Sequence, residues 1–187
     1  MFKDWSTKKL LRVLLFALVY LAANIAILNT GAVHPVLFVM YTMTSAVLLP
    51  GIYLAGAGKV KGPGAAVIYG GIMLIAIILA DPSWYKITEL VSMIVLAELA
   101  RFLCGYDNWV GLLISSVVMC FSNFGYSMCI WLMRDFTYGE TLAEMPAGYG
   151  DRLMAVSPMW AFPATLIATV AIAVFTTNIS RKLLKIQ

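Results

Sequence analysis

The sequence predicts an all-α integral membrane protein with six transmembrane helices and both termini in the cytoplasm. Three observations carry this. The 187 residues are 62% hydrophobic and 12% charged, with a mean hydropathy of +0.91, whereas soluble domains are about 45–50% apolar and about 25% charged. Six runs are apolar for close to the ~20 residues that a helix needs to cross a bilayer core. Finally, the basic residues divide unevenly between the two sets of connections. This composition excludes a soluble globular domain, a disordered chain, a collagen-like chain and a disulfide scaffold. One membrane domain spanning residues 1–187 follows.

The first helix is expected over about 11–28, ending at Asn29-Thr30-Gly31. The second covers about 36–55, after His34-Pro35. A Gly-rich connector, Gly56 to Gly64, leads to a short third helix over about 65–80, closed by Asp81-Pro82. The fourth covers about 84–103 and the fifth about 109–133. The sixth covers about 158–179 and ends in a basic tail. Each run is continuous, whereas barrel strands would alternate every second residue over about ten residues. The basic N-terminal stretch resembles the start of a signal peptide. It is read as part of a retained first helix, because every later segment is also apolar.

Basic residues gather on cytoplasmic connections. With the N-terminus inside, that side holds Lys3, Lys8, Lys9, Arg12, Lys59, Lys61, Arg101, Arg181, Lys182 and Lys185; the outside holds Lys86, Arg134 and Arg152. Ten against three places both ends in the cytoplasm, and an even number of helices agrees. The connection 134–157 is long for a loop and carries Asp135, Glu140, Glu144 and Asp151 beside aromatic residues. It is expected to be ordered and to form a short helix over the outer mouth.

The chain has no GxxxxGK[ST] phosphate loop, HExxH or GxSxG motif, and only one histidine, which excludes a multi-His metal site. Cys104, Cys120 and Cys129 form no CxxC motif and read as packing residues. Intramembrane ionisable residues, the usual relays of carriers, are few. Glu98 and Arg101 share a helix face and read as an interfacial ion pair or a partner contact. Glu89 either lines a pocket or snorkels.

The outer third is rich in aromatic and polar groups. Trp84 and Trp160 fit an interfacial aromatic belt. Asn123 and Tyr126 fit a pocket with apolar walls and a few convergent polar groups. His34 stands in the first outer loop as a mouth residue or a ligand contact. Arg134 at the rim suits the anionic edge of a largely apolar organic molecule, and a haem-like ligand with His34 on the iron is the bolder version. On the first helix, Ala22 and Ala26 have the small-xxx-small spacing that permits close helix approach.

Several segments in order resemble one family. They are Lys59-Val60-Lys61-Gly62-Pro63-Gly64, Leu96-Ala97-Glu98-Leu99-Ala100-Arg101, Met133-Arg134-Asp135, Tyr149-Gly150 and Leu153 to Trp160. Together they resemble the Trep_Strep (MptD-type) family of energy-coupling factor (ECF) substrate-binding subunits, over nearly the whole chain. The resemblance implies a six-helix S component in the bacterial plasma membrane that captures a micronutrient at the outer face. It implies partners, namely a transmembrane coupling subunit and two cytoplasmic ATPases that use ATP, and no cofactor of its own. It also implies docking through the first three helices, with AxxxA near the start of the first. Here Ala17 is followed by Leu21 at the fourth position, and the Ala22/Ala26 pair lies deeper. A transport subunit without enzymatic activity or a nucleic-acid partner is therefore expected. The alternatives are a membrane scaffold without cargo and a stand-alone secondary carrier.

Overall fold

In a computed structural model, which describes residues 4–186, Ser6 opens the first helix by accepting the Lys9 backbone N–H at 3.3 Å. Helix α1 then runs Thr7–Val33, and the described residues continue as α2 (Pro35–Val39), α3 (Tyr41–Ala57), α4 (Ala65–Ala80) and α5 (Trp84–Cys104). The remaining elements are α6 (Trp109–Met119), α7 (Phe124–Leu132), α8 (Arg134–Glu144), α9 (Tyr149–Val156) and α10 (Ala161–Leu184). The predicted all-α class holds among these residues. By length and composition α1 and α10 can each cross a membrane, and the bent pair α6/α7 makes a third span if taken together. Lys3, counted above among the basic residues, lies outside the described residues.

The third and fourth predicted helices match α4 and α5 closely. The first and last extend further at their charged ends. The α10 helix continues through Arg181 and Lys182, whose charges favour the negative end of the helix dipole. The second run is divided at Met40 into α2 and α3. The fifth is not continuous: α6 and α7 meet at 58° across residues 120–123. No Pro or Gly stands at this break. Its cause is a side chain competing for the helix ladder. The Tyr20 hydroxyl donates to the Met119 carbonyl at 2.5 Å and lies 3.0 Å from Ser122 Oγ.

The chain passes repeatedly between two ends of the bundle. One end gathers the N-terminal residues, the 58–64 connector, the 105–108 turn and the C-terminal turn. Asp4 Oδ2 accepts the Lys61 N–H at 2.6 Å, and Trp5 Nε1 donates to Pro63 O at 2.8 Å. The Lys9 ammonium and the Lys61 amide hold the Asp4 carboxyl below its ordinary range. The other end gathers residues 29–38, the 81–83 turn and α8–α9.

Between the ends, the core is built around three buried tyrosines. Tyr69 meets Tyr20 and Tyr53 edge-on, with centroids 5.3 and 5.0 Å away. Lipid tails are as apolar as leucine, so helix packing here rests on close contact and hydrogen bonds rather than on expelling water. The buried face of α10 shows this with Thr165, Thr169 and Thr177, each donating to the carbonyl four residues back.

Glu98 and Arg101 do not form the expected ion pair. Arg101 Nη2 donates to Val60 O at 2.6 Å, while Glu98 Oε1 accepts from Gly64 N at 2.8 Å and from the Tyr106 hydroxyl at 3.1 Å. Each charge is drawn to the connector or the neighbouring turn instead of to the other. All three cysteines are free; Cys120 and Cys129 are buried and donate their thiols to carbonyls four residues back.

Candidate functional site

At the α8–α9 end lies a cavity of about 290 Å³. Its walls come from α5, α7 and α8, and Phe38 of α2 and Tyr149 of α9 close its sides. The long connection is therefore ordered, as expected, but as two helices rather than one. Gly148, with φ +75°, makes the left-handed corner that starts α9, a conformation that glycine adopts without a Cβ clash. Arg134 clamps the cover shut at its base, since Nη1 donates to Ser157 O at 2.8 Å and Nη2 to Met154 O at 2.7 Å. Tyr149 ties α9 to α1 by donating to Gly31 O at 2.5 Å.

The floor carries charge. Lys86 is buried, pairs with Asp81 and stands 3.9 Å from the centre of the Tyr126 ring. Ser83 also donates to Asp81. Partial burial pushes the Asp81 carboxyl up, but the bonds from Lys86 and Ser83 outweigh it, and the group sits below the usual carboxylate range. One turn below Lys86, Glu89 is 8% exposed and its Oε1 has no partner among the described residues. Gly125 makes room for it: a Cβ there would lie 3.0 Å from the Lys86 Cα and 3.5 Å from Glu89 Oε2. Above, Thr137 of α8 is also 8% exposed, lines the cavity and has an unpartnered hydroxyl. Three carboxylates (Asp81, Glu140 and Glu144) and one ammonium (Lys86) line this space.

Deeper in the bundle a polar network crosses three helices. The Tyr41 hydroxyl donates to Asn24 Oδ1 at 3.1 Å, and Asn123 Nδ2 reaches the same oxygen at 3.4 Å. Asn24 Nδ2 donates to Tyr20 O at 3.0 Å. Asn123 Oδ1 and Ser45 Oγ are buried without partners. Asn123 and Tyr126 also line a groove of about 250 Å³ against α1 and α4, so Tyr126 stands between this groove and the covered cavity. No group of three or more His, Cys, Asp or Glu residues that could hold a metal ion occurs among the described residues.

Residues 7–187 match the family described as hypothetical bacterial integral membrane protein (Trep_Strep). The chain belongs to this family. No curated protein and no solved structure matches it.

In this Trep_Strep protein Tyr126 of the expected site lines both the cavity and the groove, Asn123 lines the groove alone, Glu89 lies beneath the cavity floor, and the others are set apart. Arg134 lies at the base of the cover with its guanidinium held by two carbonyls. Trp84 and Trp160, each 72% exposed, point away from the cavity as an interfacial belt would. His34 is exposed, and its Nδ1 accepts the Val36 N–H at 3.2 Å, so the ring caps α2. On α1 of the Trep_Strep chain, Ala17 is fully buried in the core and cannot meet a partner. Ala22 and Ala26 are exposed on its outer face. Sequence reasoning passed over Lys86, Thr137, Asn24 and Tyr41. Asn24 had a legible signal, an amide in the middle of an apolar helix, which needs a partner at that depth. Thr137 had none, because its environment depends on how the cover folds back.

Proposed function

We propose that this chain is the substrate-capture subunit of an ATP-driven importer of the energy-coupling factor type in the bacterial plasma membrane. The observation that carries the reading is the covered cavity, with the Thr137 hydroxyl in its wall and Glu89 Oε1 beneath its floor, both without partners among the described residues. Buried polar atoms without partners are uncommon, and a bound molecule would satisfy them. The chain has no phosphate loop of its own, so energy comes from a coupling subunit and two ATPases, and the chain acts without enzymatic activity or a resident cofactor. The exposed Ala22/Ala26 face of α1 is the docking surface for the coupling subunit. The volume is at the lower limit of the ~300–1,000 Å³ usual for ligand pockets, which suits a small molecule rather than a macrocycle. With Arg134 committed to carbonyls and carboxylates lining the walls, the cargo presents hydrogen-bond donors or positive charge rather than an anionic edge.

The test is retention of a small molecule by the purified chain, read by native mass spectrometry. Thr137→Val and Glu89→Gln should each weaken retention by about tenfold or more, since the first leaves a polar group of the cargo buried and unpaired and the second removes the charge that strengthens a bond to it. His34→Ala should leave it unchanged. Copurifying coupling and ATPase subunits distinguish the importer from a stand-alone carrier. Wild-type retention by both Thr137→Val and Glu89→Gln would remove the cavity from the reading. A chain that holds neither cargo nor partners is the scaffold.

In this reading the covered end faces outward and both termini face the cytoplasm, as the division of basic residues requires. In a cysteine-free background, Ala147→Cys in the cover should react with a membrane-impermeant maleimide on intact cells, and Lys59→Cys should not. Labelling at position 59 alone would invert the orientation.

A further inference from the structure

At the end that carries the termini, opposite the covered cavity, lies another cavity of about 400 Å³. Lys59, Lys61, Arg101 and Lys185 line it, against a single carboxylate among the described residues, Asp107. Asp107 is already 3.3 Å from Lys61 Nζ. Arg101 is 1% exposed, and its Nε and Nη1 have no partner among the described residues. A guanidinium stays charged at any ordinary pH. Left unpaired inside a bundle it is costly, and a counter-charge removes that cost. Glu98, one turn back, forms no ion pair with it: Oε1 accepts from Gly64 and Tyr106, and Oε2 has no partner among the described residues.

The surrounding wall is built, not incidental. The Arg181 guanidinium lies 4.4 Å from the centre of the Trp109 ring, and its Nε donates to Ile186 O at 3.2 Å. This holds the C-terminal turn against the start of α6 and brings Lys185 to the cavity. We propose that the cavity is a phosphate site, occupied by the headgroup phosphate of an anionic phospholipid or by free phosphate. Basic pockets between helices near a membrane surface recognise such groups, and an arginine fork matches phosphate oxygens in pairs. Leu112 and Trp109, also in the lining, offer an apolar and aromatic edge to the glycerol backbone of a lipid. The site stands apart from the cargo reading and does not depend on it.

The experiment uses the full chain in detergent. Native mass spectrometry would follow adducts of phosphatidylglycerol and of phosphatidylcholine, and thermal unfolding would be read with inorganic phosphate at constant ionic strength. The wild type should retain phosphatidylglycerol preferentially or be saturably stabilised by phosphate. A lipid preference without a phosphate response assigns the headgroup; a phosphate response without a lipid preference assigns the free ion. Arg101→Gln should abolish either signal. Should that variant fail to fold, Lys59→Ala with Lys185→Ala carries the test, since both side chains are exposed. At about fivefold per lysine, the pair should weaken binding by about 25-fold. Lys182→Ala, exposed and outside the cavity, should have no effect. Equal retention of the two lipids with no phosphate response would overturn the site, as would a lysine double variant indistinguishable from Lys182→Ala.

Discussion

Gly125→Leu is expected to abolish cargo retention and to destabilise the purified chain by about 3 kcal/mol, near the upper end of the range for overpacking a tight contact. The reason is where α7 crosses α5. A Cβ on Gly125 would come within 3.0 Å of the Lys86 Cα, which is backbone and cannot rotate aside. A leucine forces the two helices apart, and the floor formed by Lys86 and Tyr126, with Glu89 beneath it, moves with them. Gly71→Ala is the matched control, because a Cβ there meets nothing within 4 Å. It should leave both cargo retention and stability near wild type. A Gly125→Leu chain that unfolds and binds like the wild type would mean that the α5–α7 approach does not hold the floor.

Asn24→Leu should produce the second large effect, a loss of about 2 kcal/mol in stability together with weakened cargo binding. Leucine keeps the branched outline of asparagine but has no polar atom. It removes the acceptor of the Tyr41 hydroxyl and the Asn123 amide, both of which share Asn24 Oδ1. Each stranded buried group costs about 1–3 kcal/mol. Interhelical hydrogen bonds in membranes average only about 0.6 kcal/mol, because partners are replaced by others. Asn123 Oδ1 and Ser45 Oγ lack partners and can accept the Tyr41 hydroxyl, so the loss rests on Asn123 Nδ2, left without its acceptor, and stays at about 2 kcal/mol. Asn29→Leu, which removes only a bond to the Ile25 carbonyl within α1, should change stability by less than about 0.5 kcal/mol. Unfolding in mixed detergent measures the pair. Equal stability of the Asn24 and Asn29 variants would show that the network carries no weight.

The parts of the fold that local chemistry decides were legible. Asp81-Pro82 ends α4 where expected, Trp84 begins α5, and the apolar runs are helices. What could not be read depends on residues far apart in the chain. The apolar run 109–133 contains nothing that breaks a helix; the partner of its Met119 carbonyl is Tyr20, on a different helix. The pairing of Glu98 with Arg101 failed for the same reason. Spacing on one helix puts them on a shared face, but the connector offered each a nearer partner. At the site, Asn123 and Tyr126 stood out as polar groups in an apolar run. Arg134 looked available because a sequence cannot show that two carbonyls, at Met154 and Ser157, fold back onto it.

The bend between α6 and α7 also limits how the molecule can move. Irregular backbone at membrane depth survives only where protein shields it from lipid, and here Tyr20 of α1, Ala46 of α3 and Ala173 of α10 close around it. Sliding α1 would pull the Tyr20 hydroxyl away from the Met119 carbonyl and Ser122, so α1 is expected to move together with α6 and α7.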